Sequence, residues 1–140
     1  MISNEPSDGL TGVLRTAIVK LVRQDGPDLS ARQLGVVLTC YLETEEQTVR
    51  GLAAKLGVNK PAITRALDRL SEFDLVRRKT DRLDRRSVLV QRTATGMAFM
   101  RELRAVLRDG AAEMHVTDTL EQGVLRSNPR NFWIRLDSMV

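Results

Sequence analysis

The sequence predicts a mainly α protein with one small β-hairpin. Three observations carry this. Apolar residues recur at helical spacing through most of the 140 residues. Two short apolar runs, Leu75-Val76 and Val88-Leu89-Val90, bracket a polar, arginine-rich stretch, RRKTDRLDRRS, that no core would hold. Aromatic content is only 4%, as is common in helical proteins.

The segment from Thr48 to Arg92 organises the rest. Val49, Leu52, Ala53 and Leu56 fall at i, i+3, i+4 and i+7, one face of a short helix. Gly57 stands where a left-handed residue closes a helix. Asn59 can cap the next helix through its side-chain oxygen, and Pro61 is tolerated in a first turn, whose N–H groups lack intrahelical partners. Ile63, Leu67 and Leu70 then make one buried stripe with Ala66 beside it. Lys60, Thr64, Arg65, Asp68 and Arg69 take the opposite face. Small Ala53 opposite Gly57 and Val58 lets the two helices cross closely. That is the packing logic of a helix-turn-helix, whose second helix, about 60–72, is held out for the DNA major groove. The basic hairpin after it, about 76–91, reads as a wing. The predicted fold is therefore a winged helix-turn-helix.

Here the sequence resembles the MarR family of bacterial winged helix regulators. The matching residues are the Ala53, Gly57, Ile63 skeleton, Thr64-Arg65 with Asp68-Arg69-Leu70, Val76 with Arg78, and Asp81 with Asp84-Arg85-Arg86, followed by Val88, Val90, Thr93 and Gly96. The resemblance spans about Leu29 to Met114. Two positions depart from it. The family usually has Gly between the recognition helix and the first wing strand, where this chain has Asp74, a residue that can adopt the left-handed backbone at some cost. It also favours Leu before the Thr that ends the wing. Here that residue is Arg92, read as a phosphate contact or simply solvated.

In order along the chain, Leu10 to Gln24 repeats apolar residues at helical spacing: Leu10, Val13 or Leu14, Ala17, Ile18, Leu21 and Val22. Asp25-Gly26-Pro27-Asp28 ends that helix. Ser30 caps a second, Ala31 to about Thr44, with Leu34, Val37, Leu38, Tyr41 and Leu42 as its apolar face. Thr93 to Met114 reads as one long helix capped by Thr93 or Thr95, its apolar positions including Ala98, Phe99, Leu103, Val106 and Leu107. Gly110 weakens it by about 1 kcal/mol relative to Ala, which makes a kink or break there an alternative. The resemblance implies that about 29–96 form the DNA-binding part of a single domain, flanked by N- and C-terminal dimerisation helices at about 10–24 and 97–140. Residues 116–140 lack the family's charged last helix. A short helix over Asp118 to Leu125 is expected, and Phe132, Trp133 and Ile134 pack on their own chain, cross to a second subunit or stay unordered, with packing in the dimer region favoured.

Charge agrees with a polyanion partner. Between Thr48 and Arg92 there are 12 Lys and Arg against 5 Asp and Glu, while the remainder is slightly negative and the whole carries +4. The expected DNA-binding residues are Asn59, Lys60, Pro61, Thr64, Arg65 and Arg69 on the recognition helix and Arg82, Arg85 and Arg86 on the wing. Arg65 can reach guanine N7 and O6 bidentately or hold a phosphate. The resemblance implies that Arg85 or Arg86 enters the minor groove, oriented by the neighbouring aspartate. Arg50, Lys55, Arg69, Arg77 and Lys79 are expected at phosphates, positioning without specifying. Two-fold dimers read half-sites about one helical turn apart, so a homodimeric regulator, a repressor more often than an activator, on a pseudo-palindromic operator is expected. The resemblance also implies a small-molecule effector, which nothing in the sequence names.

Other classes fit less well. No nucleophile with its base, paired-carboxylate signature, metal-ligand spacing or phosphate-cradling glycine loop is present, so no enzyme, cofactor or metal site is expected. His115, the single histidine, reads as surface or helix end. A winged helix used only for protein contact would want an acidic or apolar recognition face, against Lys60, Arg65 and Arg69. An RNA binder would want exposed aromatics, and the basic segment has only Phe73, expected in the core. Cys40 lies in the apolar run VVLTCYL and reads as a buried structural thiol; reactivity would need nearby positive charge. One cysteine, no apolar run near 18 residues and a polar start over residues 1–9 fit a cytoplasmic protein without a membrane span.

Overall fold

Five helices and a three-stranded antiparallel sheet follow one another in the computed structural model, which describes residues 6–114. The order is α1 (Pro6–Arg23), α2 (Ala31–Leu42), β1 (Gln47–Thr48), α3 (Val49–Leu56), α4 (Lys60–Glu72), β2 (Val76–Thr80), β3 (Val88–Arg92) and α5 (Ala94–Met114). The fold is mainly α with a β-hairpin wing, as the sequence predicts. The expected elements over Asp118 to Leu125 and at Phe132, Trp133 and Ile134 lie outside the described residues, as does His115.

The described residues divide into two compact units, Leu21–Arg104 and a second made of residues 6–20 with 105–114. In the first, Val36, Val37, Leu52, Ile63, Leu67, Leu70 and Val76 are wholly enclosed. The core is therefore built by α2, α3 and α4, with Leu75, Val76 and Val90 sealing it from the sheet. In the second unit, Gly110 of α5 lies against Val13 of α1, and a methyl group at 110 would stand 3.5 Å from Val13. The helix runs unbroken through Gly110, so its intrinsic cost does not break the helix.

α1 is already helical at Pro6, four residues before the expected Leu10. Later boundaries have local causes. Ser30 caps α2 in a reciprocal box: its hydroxyl accepts from Gln33 N–H at 3.2 Å and its own N–H donates to the Gln33 side chain at 2.9 Å. α2 stops at Leu42, two residues short of Thr44, because Glu43 turns to extended backbone. Its buried face is also rotated from the expected one. Val36 and Cys40 join Val37 and Tyr41, while Leu42 is exposed. Thr93 caps α5, its hydroxyl accepting from Gly96 N–H at 2.9 Å, and Met100 joins Leu103 and Val106 as buried positions.

The sheet has the order β1-β3-β2. In the hairpin Val76 faces Arg92 and Thr80 faces Val88. The short β1 adds Gln47 opposite Val90 and Thr48 opposite Leu89, closing the far edge of β3. Gln47 is buried, and both ends of its amide are met, by Lys55 Nζ at 2.9 Å and the Glu45 carbonyl at 2.8 Å.

Candidate nucleic-acid interface

The turn between α3 and α4 decides which side chains of α4 reach solvent. Thr48 caps α3 by accepting from Gly51 N–H. Gly57 adopts φ 66°, ψ 33°, the left-handed closure, and Val58 N–H reaches back to the Ala53 carbonyl at 3.1 Å. Asn59 accepts from Ala62 N–H at 2.9 Å, and Pro61 sits in the first turn, as the sequence implies. With both ends set, Ala62, Ile63, Ala66, Leu67 and Leu70 face inward. Asn59, Lys60, Pro61, Thr64, Arg65, Asp68 and Arg69 are left exposed.

Asp74 makes the sharp exit from α4. Its φ of 54° is the one positive value outside glycine among the described residues. The side chain offsets the cost of that conformation, which glycine would avoid. Its carboxylate accepts from the Thr95 hydroxyl at 3.1 Å and lies 3.5 Å from Arg77 Nε, and its carbonyl accepts from the Thr93 hydroxyl. The departure from Gly thus ties the α4 exit to the start of α5.

β2 then runs beside the exposed face of α4. Arg78 of β2 pairs with Asp68 of α4 at 2.6 Å, so the wing is fastened to the recognition helix itself. At the hairpin tip, residues 81–87, Asp81 N–H donates to Ser87 O and Ser87 N–H to Asp84 O. The Asp81 carboxylate accepts from Leu83 N–H at 2.9 Å and that of Asp84 from Arg86 N–H at 3.1 Å. Asp84 was expected to orient an arginine side chain. In this structure it shapes the loop backbone that carries Arg85 and Arg86, an Asx turn.

The cations divide into two groups. Lys60, Arg65, Arg82, Arg85 and Arg86 are exposed and form no ion pair with any carboxylate among the described residues. Lys55, Arg69, Arg77 and Arg78 are engaged within the chain. Arg69, expected at the interface, lies on the right face but bonds Glu72 at 2.9 Å and stacks 4.5 Å over Phe73. Phe73 is half-buried under it rather than in the core.

Arg92 is exposed, yet its guanidinium is also engaged within the chain. Its guanidinium donates to the Cys40 carbonyl at 2.9 Å and to that of Glu43, closing the C-terminus of α2, and stands 5.7 Å from the Tyr41 ring. Tyr41 completes this joint: its hydroxyl donates to Leu75 O at 2.7 Å and accepts from Thr93 N–H at 3.0 Å. Nothing in the helical periodicity signals these two residues, because their partners lie 34 to 52 positions away. Cys40 lies beneath, 4% exposed, its thiol pushed up from 9.0 to about 11 by burial against the opposing pull of Arg92 and Lys55. That suits the structural thiol. An open recess of about 490 Å³ lies among Leu21, Gln24, Phe73, Leu75, Phe99 and Glu102.

Residues 29–88 match the model of the MarR family. Solved structures agree along most of the chain. A mutant MarR from E. coli is 26% identical, with a TM-score of 0.60 over 79% of this chain and 82% of that one. The transcriptional regulator BldR from Sulfolobus solfataricus is also 26% identical, with a TM-score of 0.56 over 95% of this chain and 87% of that one. CouR from Rhodococcus jostii RHA1, solved bound to p-coumaroyl-CoA, shares the fold at 22% identity and a TM-score of 0.56, over 95% and 81%. The MarR match runs from just before the Ser30 cap to the first residue of β3 and so takes in the helix-turn-helix and the wing tip. No helix among the described residues is long and apolar enough to cross a membrane.

Proposed function

We propose that this MarR-type chain is a cytoplasmic, sequence-specific regulator of transcription that binds double-stranded DNA as a homodimer, a repressor on a pseudo-palindromic operator. α4 enters the major groove and the β2–β3 wing the minor groove. The observation that carries the reading is one exposed basic set that pairs with no carboxylate among the described residues, Lys60 and Arg65 on α4 with Arg82, Arg85 and Arg86 on a wing clamped to α4 by Arg78 and Asp68. A helix whose inner face is fully committed to the core leaves only its outer face for a partner, and that face is cationic. Lys60 and Thr64 bring the helix to the backbone, Arg65 reads a base edge, and the wing arginines favour a minor groove narrowed by A·T pairs.

Dimerisation belongs to about 10–24 and 97–140 in this reading, and DNA binding to about 29–96. Supporting it, Leu14, Ile18 and Val22 leave an exposed apolar row along α1 at 59%, 40% and 68% exposure, the kind of face that a second subunit covers. The recess beside Phe73 and Phe99 is where a small effector would act, by binding one spacing of the two recognition helices better than another.

The test is binding to duplex fragments from around the protein's own gene at two salt concentrations, with the mass of the complex determined. A dimer on a salt-sensitive, sequence-preferred site is expected. Arg65→Ala should cost about 1–3 kcal/mol and relax preference at one operator position. Uniform weakening across sequences would make Arg65 a phosphate contact, and a complex without sequence preference would favour a protein-contact role for the winged helix.

A further inference from the structure

We propose that Leu83 is an apolar wedge that the wing inserts into the DNA minor groove, a contact to the groove walls beside the arginine contacts. The inference rests on the DNA-binding reading above. Leu83 is 98% exposed, more than any other large hydrophobic among the described residues. Single exposed leucines are ordinary on protein surfaces, so its placement carries the argument. Leu14, Ile18, Val19, Val22, Leu42 and Met97, the other exposed large hydrophobics, lie on helices; Leu83 alone stands at the tip of a hairpin. Its loop, 81–87, holds no second apolar residue for it to fold against.

The loop presents this side chain rather than leaving it loose. The Asp81 carboxylate holds Leu83 N–H at 2.9 Å, and Asp81 N–H closes the loop on Ser87 O at 3.0 Å. The Asp84 carboxylate is likewise turned onto backbone, at Arg86 N–H. Both acids of the tip are thereby occupied, while Arg82, Arg85 and Arg86 pair with no carboxylate among the described residues. An apolar side chain ringed by unpaired cations fits a polyanion with an apolar cleft. The minor groove is one: phosphates line its rims, sugar C–H groups form its walls, and its width of about 6 Å admits side chains but not a hairpin. Leucine is among the residues that architectural DNA-binding proteins press into it. One leucine is far too small a patch for a stable protein interface, which needs roughly 1,000 Å².

Such a contact releases no counterions, so its loss should not change the salt slope. The experiment uses duplexes selected by the wild-type protein from a random pool, and titrates wild type, Leu83→Ala, Leu83→Met and the double variant Arg85→Ala with Arg86→Ala across salt. Because nothing among the described residues packs on Leu83, the thermal midpoint of Leu83→Ala should match wild type. Leu83→Ala is expected to bind about tenfold more weakly with the wild-type salt slope, and Leu83→Met to recover most of the loss. Replacing adenine by 2,6-diaminopurine under the wing puts an amino group in the minor groove; it should weaken wild type and leave Leu83→Ala little affected. If Leu83→Ala binds as wild type does while the double arginine variant loses affinity, the wing docks without the leucine and the wedge is refuted. If wild type selects no preferred sequence and the arginine variant behaves the same, the DNA-binding reading falls with it.

Discussion

Replacing Gly96 by alanine tests whether the joint beneath the wing is as tight as its hydrogen bonds indicate. A Cβ at this position would overlap the Tyr41 hydroxyl and crowd the Leu75 carbonyl. Intrinsic propensity runs the other way, since alanine in a helix is favoured over glycine by about 1 kcal/mol. Against this, the Tyr41 hydroxyl must leave a site where it donates to Leu75 O at 2.7 Å and accepts from Thr93 N–H at 3.0 Å. Each buried group left without a partner costs about 1–3 kcal/mol. Two such groups less the propensity gain leave a net loss of about 1–5 kcal/mol, a large share of a typical domain's 5–15 kcal/mol. Urea unfolding followed by circular dichroism reads it as a midpoint lowered by roughly 0.5–2.5 M, for a slope of about 2 kcal/mol per M that stays unchanged. The cost should shrink in a Tyr41→Phe background, where no hydroxyl is displaced and the crowding of the ring tip and of Leu75 O remains. A Gly96→Ala protein as stable as wild type, or an equal cost in both backgrounds, would refute the reasoning.

Two further outcomes follow from the same region. Arg92→Met should destabilise by about 1–2 kcal/mol, because the last carbonyls of α2 lose their donor, yet leave the salt slope of DNA binding unchanged; a slope smaller by about one would instead make Arg92 a phosphate contact. Cys40 gives a pH signature. Its thiol keeps its proton to about pH 11 when folded but ionises near 9.0 when unfolded. Above pH 9 the unfolded state therefore binds fewer protons, and stability should fall by about 2–3 kcal/mol toward pH 11 and stay flat in this respect below 9. The difference between wild type and Cys40→Ala in urea unfolding across pH 8–11 isolates that slope. Ellman's reagent should label the thiol slowly in buffer and at once in denaturant, and rapid labelling of the folded protein would contradict its burial.

Local chemistry was enough to locate the helix-turn-helix. Gly57, Asn59 and the Ile63, Leu67, Leu70 stripe each act within a few residues, so their pattern alone specifies a turn, a cap and a buried face. The same holds for the Ser30 cap and for the exposed outer face of α4, since a helix with one side in the core has no choice about the other. What the sequence could not reveal depends on partners far along the chain. Arg92 looks like one more cation of a basic segment until folding brings the end of α2 beneath it, and Tyr41 looks like core until its hydroxyl meets Leu75 and Thr93. Asp68 and Arg78 read as opposite charges ten residues apart, and only the hairpin's return along α4 joins them into a clamp. Two-residue β1 was invisible because a strand that short has no period to detect; it exists through its pairing with β3. Periodicity and capping are local free energies written into neighbouring residues, whereas the allocation of charges between structure and partner is settled by tertiary contacts.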